Sequence, residues 1–141
     1  MLDKPLRLIE LSGLDLSVKV DFSGNIYTLP KQTIRSNGRP DNRQGKQIKP
    51  TISKGYYRVT FSHNHKRKSY FVHRLVAQAF LDNYSDDLQV NHIDGNKLNN
   101  LASNLEMVTS QENITHSIVT GLKPPMLRDA YGRFLRKKEV I

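Results

Sequence analysis

The feature that most restricts the fold is an order of strand, loop, strand and helix in the second half of the chain. Short strands are predicted at Gln89–His92 and Leu105–Thr109, with a connection rich in Asn and Gly between them. Thr109 and Glu112 have the spacing of a capping box, in which each side chain hydrogen-bonds to the backbone amide of the other residue, so a helix is predicted to begin there. Gly121 is suited to end that helix. The pattern indicates an α+β fold.

Alternating apolar residues predict two β-hairpins before this unit. The first spans Leu16–Leu29 and turns at Ser23–Asn25, and the second joins Tyr57–Phe61 to Ser69–Val72. The intervening segment, Lys31–Lys49, is polar and is predicted to be a loop. The N-terminal half is therefore expected to be rich in β-structure.

An amphipathic helix is predicted directly after the second hairpin. Apolar residues follow the i, i+3, i+4, i+7, i+8 spacing of one helix face until about Leu81; they are Val72, Leu75, Val76, Ala79 and Phe80. His73 lies at the start of this helix, where we expect a histidine that is hydrogen-bonded or that supports a neighbouring site. The helix is expected to bury one face.

The charge of the chain points to a polyanionic partner. The formal net charge is +9 over 141 residues, and a surplus of Lys and Arg attracts phosphates and releases their counterions. Nucleic acid is the leading candidate, although a basic protein without such a partner could have the same composition. No stretch approaches the roughly 20 apolar residues that span a bilayer, and the N-terminus lacks the apolar core of a signal peptide. We therefore expect no membrane association.

His92 is the main candidate for a reacting group. The ordinary pKa of histidine is about 6.5, so a neutral imidazole is available at pH 7 to take a proton from water. Phosphodiester hydrolysis needs such a base, a divalent cation and cationic groups that hold the backbone. With no cysteine in the chain, the side-chain oxygens of Asn91 and Asn113, completed by water and phosphate, would suit Mg²⁺. The alternative for His92 is a structural histidine in a turn.

A family resemblance extends this interpretation. The runs Val72–Phe80, Val90–Asn100, Asn104–Thr109 and Glu112–Asn113 resemble the HNH endonucleases of phages and mobile introns. The resemblance covers residues 72–122 closely, and the segment before them is similar, more loosely, to a module that often precedes this domain. It implies a ββα-metal fold, also called a His-Me finger, preceded by β-hairpins and the amphipathic helix.

The resemblance also implies roles for individual residues. His92 would activate the hydrolytic water, Asn91 and Asn113 would be metal ligands, and Asn104 would bridge the loop and orient His92. Many relatives carry Asp or His at the ligand positions, so the two asparagines favour Mg²⁺ or Mn²⁺ over tightly held Zn²⁺ or Ni²⁺. His116, one helical turn beyond Asn113, is a candidate auxiliary ligand, with a surface role as the alternative.

Basic residues near these motifs are candidates for contact with DNA. They are Arg74, Lys66, Arg67, Lys68 and Lys97. Each of them could also be solvated surface charge that makes no such contact. Asp94, in contrast, lies in an Asp-Gly-Asn sequence and is expected to shape a turn rather than to bind metal.

We therefore expect a metal-dependent, homing-type HNH endonuclease that nicks DNA, is encoded by a phage and acts in the cytoplasm of a host cell. Its parts would be a β-rich DNA-binding region at residues 1–71, the nuclease domain at 72–122 and a basic tail at 123–141. Two alternatives stay open: a DNA-binding or regulatory protein that keeps the HNH fold with weak or no catalysis, and an RNA-binding or ribosome-associated protein. The sequence leaves open whether the chain acts as a monomer or a homodimer.

Overall fold

The structure, a computed structural model, describes residues 5–121. The basic tail predicted at residues 123–141 lies outside them. No helix within the described residues is long and apolar enough to cross a membrane. The described elements are β1 (Leu6–Leu11), β2 (Leu16–Asp21), β3 (Ile26–Thr28), β4 (Lys31–Ile34), β5 (Pro40–Arg43), β6 (Gln47–Ile48), β7 (Thr51–Ser53), β8 (Tyr56–His63), β9 (Lys66–Phe71), α1 (Val72–Phe80), β10 (Gln89–His92), a 3₁₀ turn (Ala102–Asn104), β11 (Leu105–Val108) and α2 (Ser110–Val119).

A four-stranded antiparallel sheet, ordered β1-β2-β3-β6, provides one side of the core. The first predicted hairpin is confirmed as β2 and β3. Alternation along β2 directs Val18 and Val20 inward, where both are fully buried. Asp21 is also buried, because its carboxylate accepts hydrogen bonds from the backbone amides of Ser23 (2.9 Å) and Asn25 (2.8 Å) and so closes the turn.

The prediction of a loop over Lys31–Lys49 is wrong. β4 and β5 form a separate two-stranded ribbon, and β6 adds to the first sheet beside β3. Asp41 reinforces the ribbon through ion pairs with Arg35 (3.1 Å) and Arg43 (3.0 Å). Pairing satisfies the backbone of this ribbon without burying one face. The sequence consequently lacks the apolar alternation by which a half-buried strand is recognised.

The second predicted hairpin is confirmed as β8 and β9, and β7 extends it to a three-stranded sheet. Its turn places Asn64 and His65 at φ of 50° and 62°, the left-handed region that tight hairpin turns require. Along β8, Val59 and Phe61 are buried and Tyr57 packs against them. Every second residue of β8 therefore faces the core, and the residues between them face the other side.

Helix α1 follows β9 directly and occupies the predicted position. Val72, Leu75 and Val76 are at most 3% exposed and belong to one core cluster with residues of the first sheet and of β8 and β11. The amphipathic stripe therefore serves to join the N-terminal sheets to the C-terminal unit. This packing aligns the start of α1 with the end of β10.

The predicted order of strand, loop, strand and helix is confirmed in β10, β11 and α2. The capping box is complete, because Glu112 N donates to Thr109 Oγ1 (3.2 Å) and Thr109 N donates to Glu112 Oε2 (2.8 Å). Ile114 and Ile118 of α2 are only half-buried, because a two-stranded hairpin covers only part of a helix face. The fold is α+β.

Candidate functional site

His92 ends β10 and is 6% exposed. Its Nε2 lies 2.9 Å from Oδ1 of the buried Asn100. An amide oxygen can only accept, so Nε2 must carry the hydrogen in the neutral ring, and Nδ1 then holds the lone pair. No other hydrogen bond to the ring is made by residues 5–121. The sequence did not single out Asn100, and the chain offers several similar asparagines in this loop.

The loop between β10 and β11 is held together by Asp94, Asn99 and Asn104. Asn104 Nδ2 donates to Asp94 Oδ1 (2.9 Å) and to the carbonyl of Asn99 (3.0 Å), while Asp94 N donates to Asn104 Oδ1 (3.1 Å). Hydrogen bonds from Asn99, from the amide of Asn96 and from Asn104 lower the pKa of Asp94. Asp94 therefore shapes the turn, as predicted.

Asn104 bridges this loop, as expected from the family resemblance, but its side chain makes no hydrogen bond to the ring of His92. The direct hydrogen bond to the ring is made instead by Asn100. The difference arises because the loop folds back on itself through Asp94, which engages Asn104 and leaves Asn100 as the buried side chain beside the imidazole.

The two predicted metal ligands lie in β10 and in the first turn of α2. Asn91 Nδ2 donates to Glu106 Oε1 (2.8 Å), and Asn113 Nδ2 donates to Gln89 Oε1 (2.8 Å). Gln89 and Asn91 are two residues apart on one strand and share a face, so α2 lies along the face that carries Asn91. Among residues 5–121, nothing donates to either Oδ1. These free amide oxygens fit a hard divalent cation such as Mg²⁺.

Glu106 is an acidic neighbour of Asn91 that the sequence alone did not indicate. It is opposite Asn91 in the register of β10 and β11, and its carboxylate anchors the Asn91 amide. A hydrogen bond to a carboxylate is stronger than one between neutral groups, so it defines which way the Asn91 oxygen points. Its position in the predicted strand Leu105–Thr109 was visible in the sequence. Only the register of β10 and β11 shows that Glu106 lies opposite Asn91.

His116 lies one turn beyond Asn113, and its Nδ1 is buried without a hydrogen-bond partner among the described residues. Because this nitrogen is buried, it is not exposed to a ligand in this conformation. Residues 5–121 also contain no group of three or more His, Cys, Asp or Glu side chains arranged to hold a metal. Any cation here must therefore take most of its ligands from amide oxygens, water and substrate.

Two rings pack against His92, those of His73 and Tyr56, and Tyr56 was not assigned to the site from sequence. The ring centroid of His73 lies 5.2 Å from that of His92, and the ring of Tyr56 lies 5.0 Å from His73 and 6.0 Å from His92. Phe71 stacks on His73 at 5.4 Å. Of the two alternatives predicted for His73, full hydrogen bonding does not hold, because its Nδ1 is buried without a partner among residues 5–121. Its packing against His92 agrees with the other alternative, support of a neighbouring site.

Burial of His73 has a consequence for stability at acid pH. Burial first, and then the charges of His92 and Arg74, lower the pKa of His73 from its ordinary value of 6.5 to about 4. Between these two pH values the unfolded chain binds more protons than the folded protein. The contribution of neutral His73 to the free energy of unfolding is therefore fully present above pH 6.5 and is lost as the pH falls towards 4. The loss amounts to at most about 3 kcal/mol.

Urea unfolding at pH 7, 5.5 and 4 measures this loss directly. In His73→Phe the decline attributable to this residue should disappear, whereas His63→Ala, in the exposed hairpin end, should keep it. An equally steep decline in His73→Phe would contradict the assignment.

The predicted DNA-contacting residues divide into two groups. Lys97 and Arg74 lie near the two rings that pack against His92: Lys97 Nζ is 4.9 Å from the centre of the Tyr56 ring, and Arg74 follows His73 on α1. Lys66 and Arg67 are exposed at the turn end of β9, about 17 Å and about 14 Å from its end at Phe71 by the rise per residue of a strand. Lys68 is partly engaged, because its Nζ donates to the carbonyl of Ser12 (2.8 Å).

A cavity of about 300 Å³ opens between the start of α1, β10 and α2. It places Arg74 and the unpartnered His73 beside the predicted ligand Asn113. Its lining residues are Tyr56, Phe71, His73, Arg74, Gln89, Val90 and Asn113.

Comparison with known proteins agrees with this arrangement. The sequence model of a family described as HNH endonuclease matches residues 70–114. The chain is 34% identical over 113 residues to the DNA endonuclease I-HmuI of Bacillus phage SP01, a match covering 79% of this chain and 58% of that protein. It is 47% identical over 83 residues to the uncharacterized HNH endonuclease L245 of Acanthamoeba polyphaga mimivirus, covering 59% of this chain and 25% of that protein.

A solved structure that describes DNA binding and cleavage by the HNH homing endonuclease I-HmuI is similar to this chain. The two superpose with a TM-score of 0.64 at 32% identity. The match covers 84% of this chain and 61% of that one. The chain thus spans between a quarter and about three fifths of the length of these relatives. Residues 70–114, which include the β10–β11 hairpin and the start of the capped helix α2, therefore match the HNH endonuclease family.

Proposed function

We propose that this protein is a divalent-metal-dependent endonuclease that hydrolyses DNA phosphodiester bonds, with His92 as the general base. The observation that carries the proposal is the hydrogen bond between His92 Nε2 and Asn100 Oδ1, which leaves the lone pair on Nδ1. A neutral imidazole oriented in this way can take a proton from water. Asn104 supports the base indirectly, by holding the loop that carries Asn100.

Asn91 and Asn113 would hold the cation through their free side-chain oxygens, oriented by Glu106 and Gln89. Mg²⁺ or Mn²⁺ is favoured because these ligands are hard and neutral. When bound, the cation would supply charge stabilisation for the scissile phosphate and the leaving oxygen. His116 is retained as an auxiliary ligand because it lies one helical turn beyond Asn113 on α2.

DNA would be held by basic residues on two parts of the protein. Lys97 and Arg74 are near the base and are suited to the phosphates beside the cleaved bond. The β4–β5 ribbon is exposed, and a two-stranded ribbon of this kind fits the major groove. Lys66 and Arg67 could extend the contact. We therefore assign residues 1–71 to DNA binding and 72–122 to the nuclease domain, and the tail at 123–141 to a further basic contact.

A single base and a single metal site favour cleavage of one strand per visit. The phage and viral sources of the relatives support a role in the cytoplasm of an infected cell. The neutral ligand pair gives some support to the second candidate, a protein that binds DNA through the same fold without cutting it.

A plasmid-nicking assay separates the two candidates. The protein with Mg²⁺ or Mn²⁺ is expected to convert supercoiled plasmid to open circles, and EDTA is expected to stop the reaction because the neutral ligands cannot replace the cation's charge. Linear plasmid should appear only after the circles accumulate. Binding of the plasmid without nicking in either metal would support the non-catalytic candidate, and cleavage that persists in EDTA would contradict the metal-dependent mechanism.

A further inference from the structure

Tyr56 occupies an unusual place on β8. Its neighbour Tyr57 packs against the core together with Val59 and Phe61, as strand alternation requires. Tyr56 consequently lies on the opposite face of the strand. Its ring is not needed to fill the core formed by the two N-terminal sheets, so its surroundings call for another explanation.

The ring of Tyr56 contacts the residues around the proposed base. Its centroid lies 5.0 Å from that of His73, 5.7 Å from that of Phe71 and 6.0 Å from that of His92. These separations are within the range of about 4.5–7 Å for interacting aromatic rings. His73 in turn meets His92 edge-on at 5.2 Å. The imidazole of His92 is therefore packed by Tyr56 and His73, and its Nε2 is bonded to Asn100.

The same tyrosine also contacts the loop that follows His92. Lys97 Nζ lies 4.9 Å from the centre of the Tyr56 ring, a distance suited to a cation–π interaction. The turn before Tyr56 approaches this lysine too, since a Cβ added to Gly55 would lie 3.5 Å from Lys97 Cδ. The β7–β8 turn is thus packed on the loop between β10 and β11.

We propose that Tyr56 is a positioning residue of the nuclease centre: its ring, together with that of His73, holds the His92 imidazole with Nε2 on Asn100 and Nδ1 free. This inference rests on the proposed role of His92. Tyr56 lies outside residues 70–114, which match the family model. The three-stranded sheet β7-β8-β9, which carries Tyr56, therefore completes the site as well as contributing to the fold.

The test compares Tyr56→Ala with Tyr56→Phe. The alanine variant removes the ring and is expected to lower kcat by about 10- to 100-fold, because a small misplacement of a reacting group costs this much. KM and the affinity for DNA in EDTA should change little. The phenylalanine variant keeps every ring contact and should stay within about twofold of the unaltered protein.

Tyr57→Ala is the matched control, since it removes the adjacent tyrosine from the core and should reduce thermal stability without reducing kcat. A folded Tyr56→Ala protein with unchanged kcat would overturn the proposal. So would a Tyr56→Phe protein as impaired as Tyr56→Ala, because the hydroxyl rather than the ring would then be responsible.

A second readout does not depend on cleavage. Nitrogen NMR of ¹⁵N-histidine-labelled protein should show the His92 ring with the proton on Nε2, and Tyr56→Ala should convert it to a mixture of tautomers. An unchanged tautomer would overturn the inference. If the unaltered protein fails to cut DNA with any divalent cation, the proposed function fails, while this spectrum still decides whether Tyr56 positions His92.

Discussion

Replacing His92 with alanine is expected to lower the rate of DNA cleavage by about 10²- to 10⁴-fold, the contribution of a well-placed general base. The one side-chain hydrogen bond of the ring among residues 5–121 joins Nε2 to Asn100, so none of these side chains is placed at Nδ1 to replace His92 as the base. DNA affinity should change little, because the predicted contacts to phosphate come from basic residues such as Lys97 and Arg74.

The measurement is plasmid nicking under single-turnover conditions, with DNA affinity determined separately in EDTA. His63→Ala is the matched control, since it removes a histidine from the turn end of the β8–β9 hairpin and should cut normally. Nicking by His92→Ala at the rate of the unaltered protein would rule out His92 as the base. Loss of both cleavage and binding would instead indicate that the variant is misfolded or that His92 contacts DNA.

Replacing Asn100 with alanine is expected to reduce kcat by about 10- to 100-fold, the usual cost of removing a partner that orients a functional imidazole. Without the Asn100 oxygen, Nε2 has no acceptor among residues 5–121. The ring is then free to adopt the other tautomer, in which the hydrogen occupies Nδ1 and the lone pair no longer faces the water to be activated.

Asn100→Asp is the matched variant for this prediction, because a carboxylate of the same shape still accepts from Nε2. It should recover most of the kcat that Asn100→Ala loses. Both variants should bind DNA with nearly unchanged affinity. If Asn100→Ala and Asn100→Asp are impaired equally, the amide must act by some means other than accepting this hydrogen bond, and the orientation argument would fail.

Much of the fold was predictable because its signals are local. The capping box at Thr109 and Glu112 and the apolar stripe of α1 arise from hydrogen bonds and periodicity within a few residues, and both were confirmed. The β4–β5 ribbon was missed for the opposite reason. Neither strand buries a face, so its pairing leaves no pattern in the sequence.

The residues of the candidate site that belong to a sequence motif could be predicted. His92, Asn91 and Asn113 could be singled out from residue type and family resemblance, and their functional roles stay predictions. Glu106 required the register between β10 and β11, since only pairing reveals that it faces Asn91. Side-chain partners of this kind depend on which residues lie opposite each other.

The sequence by itself determined the strand, loop, strand and capped helix of the HNH unit, because those elements depend on neighbouring residues. The tertiary structure alone decided how His92 is held. Asn100 was one of several equivalent asparagines until folding buried it beside Nε2. Tyr56 and His73 reach His92 from β8 and α1, which are distant in sequence and meet only because the shared hydrophobic core packs them together.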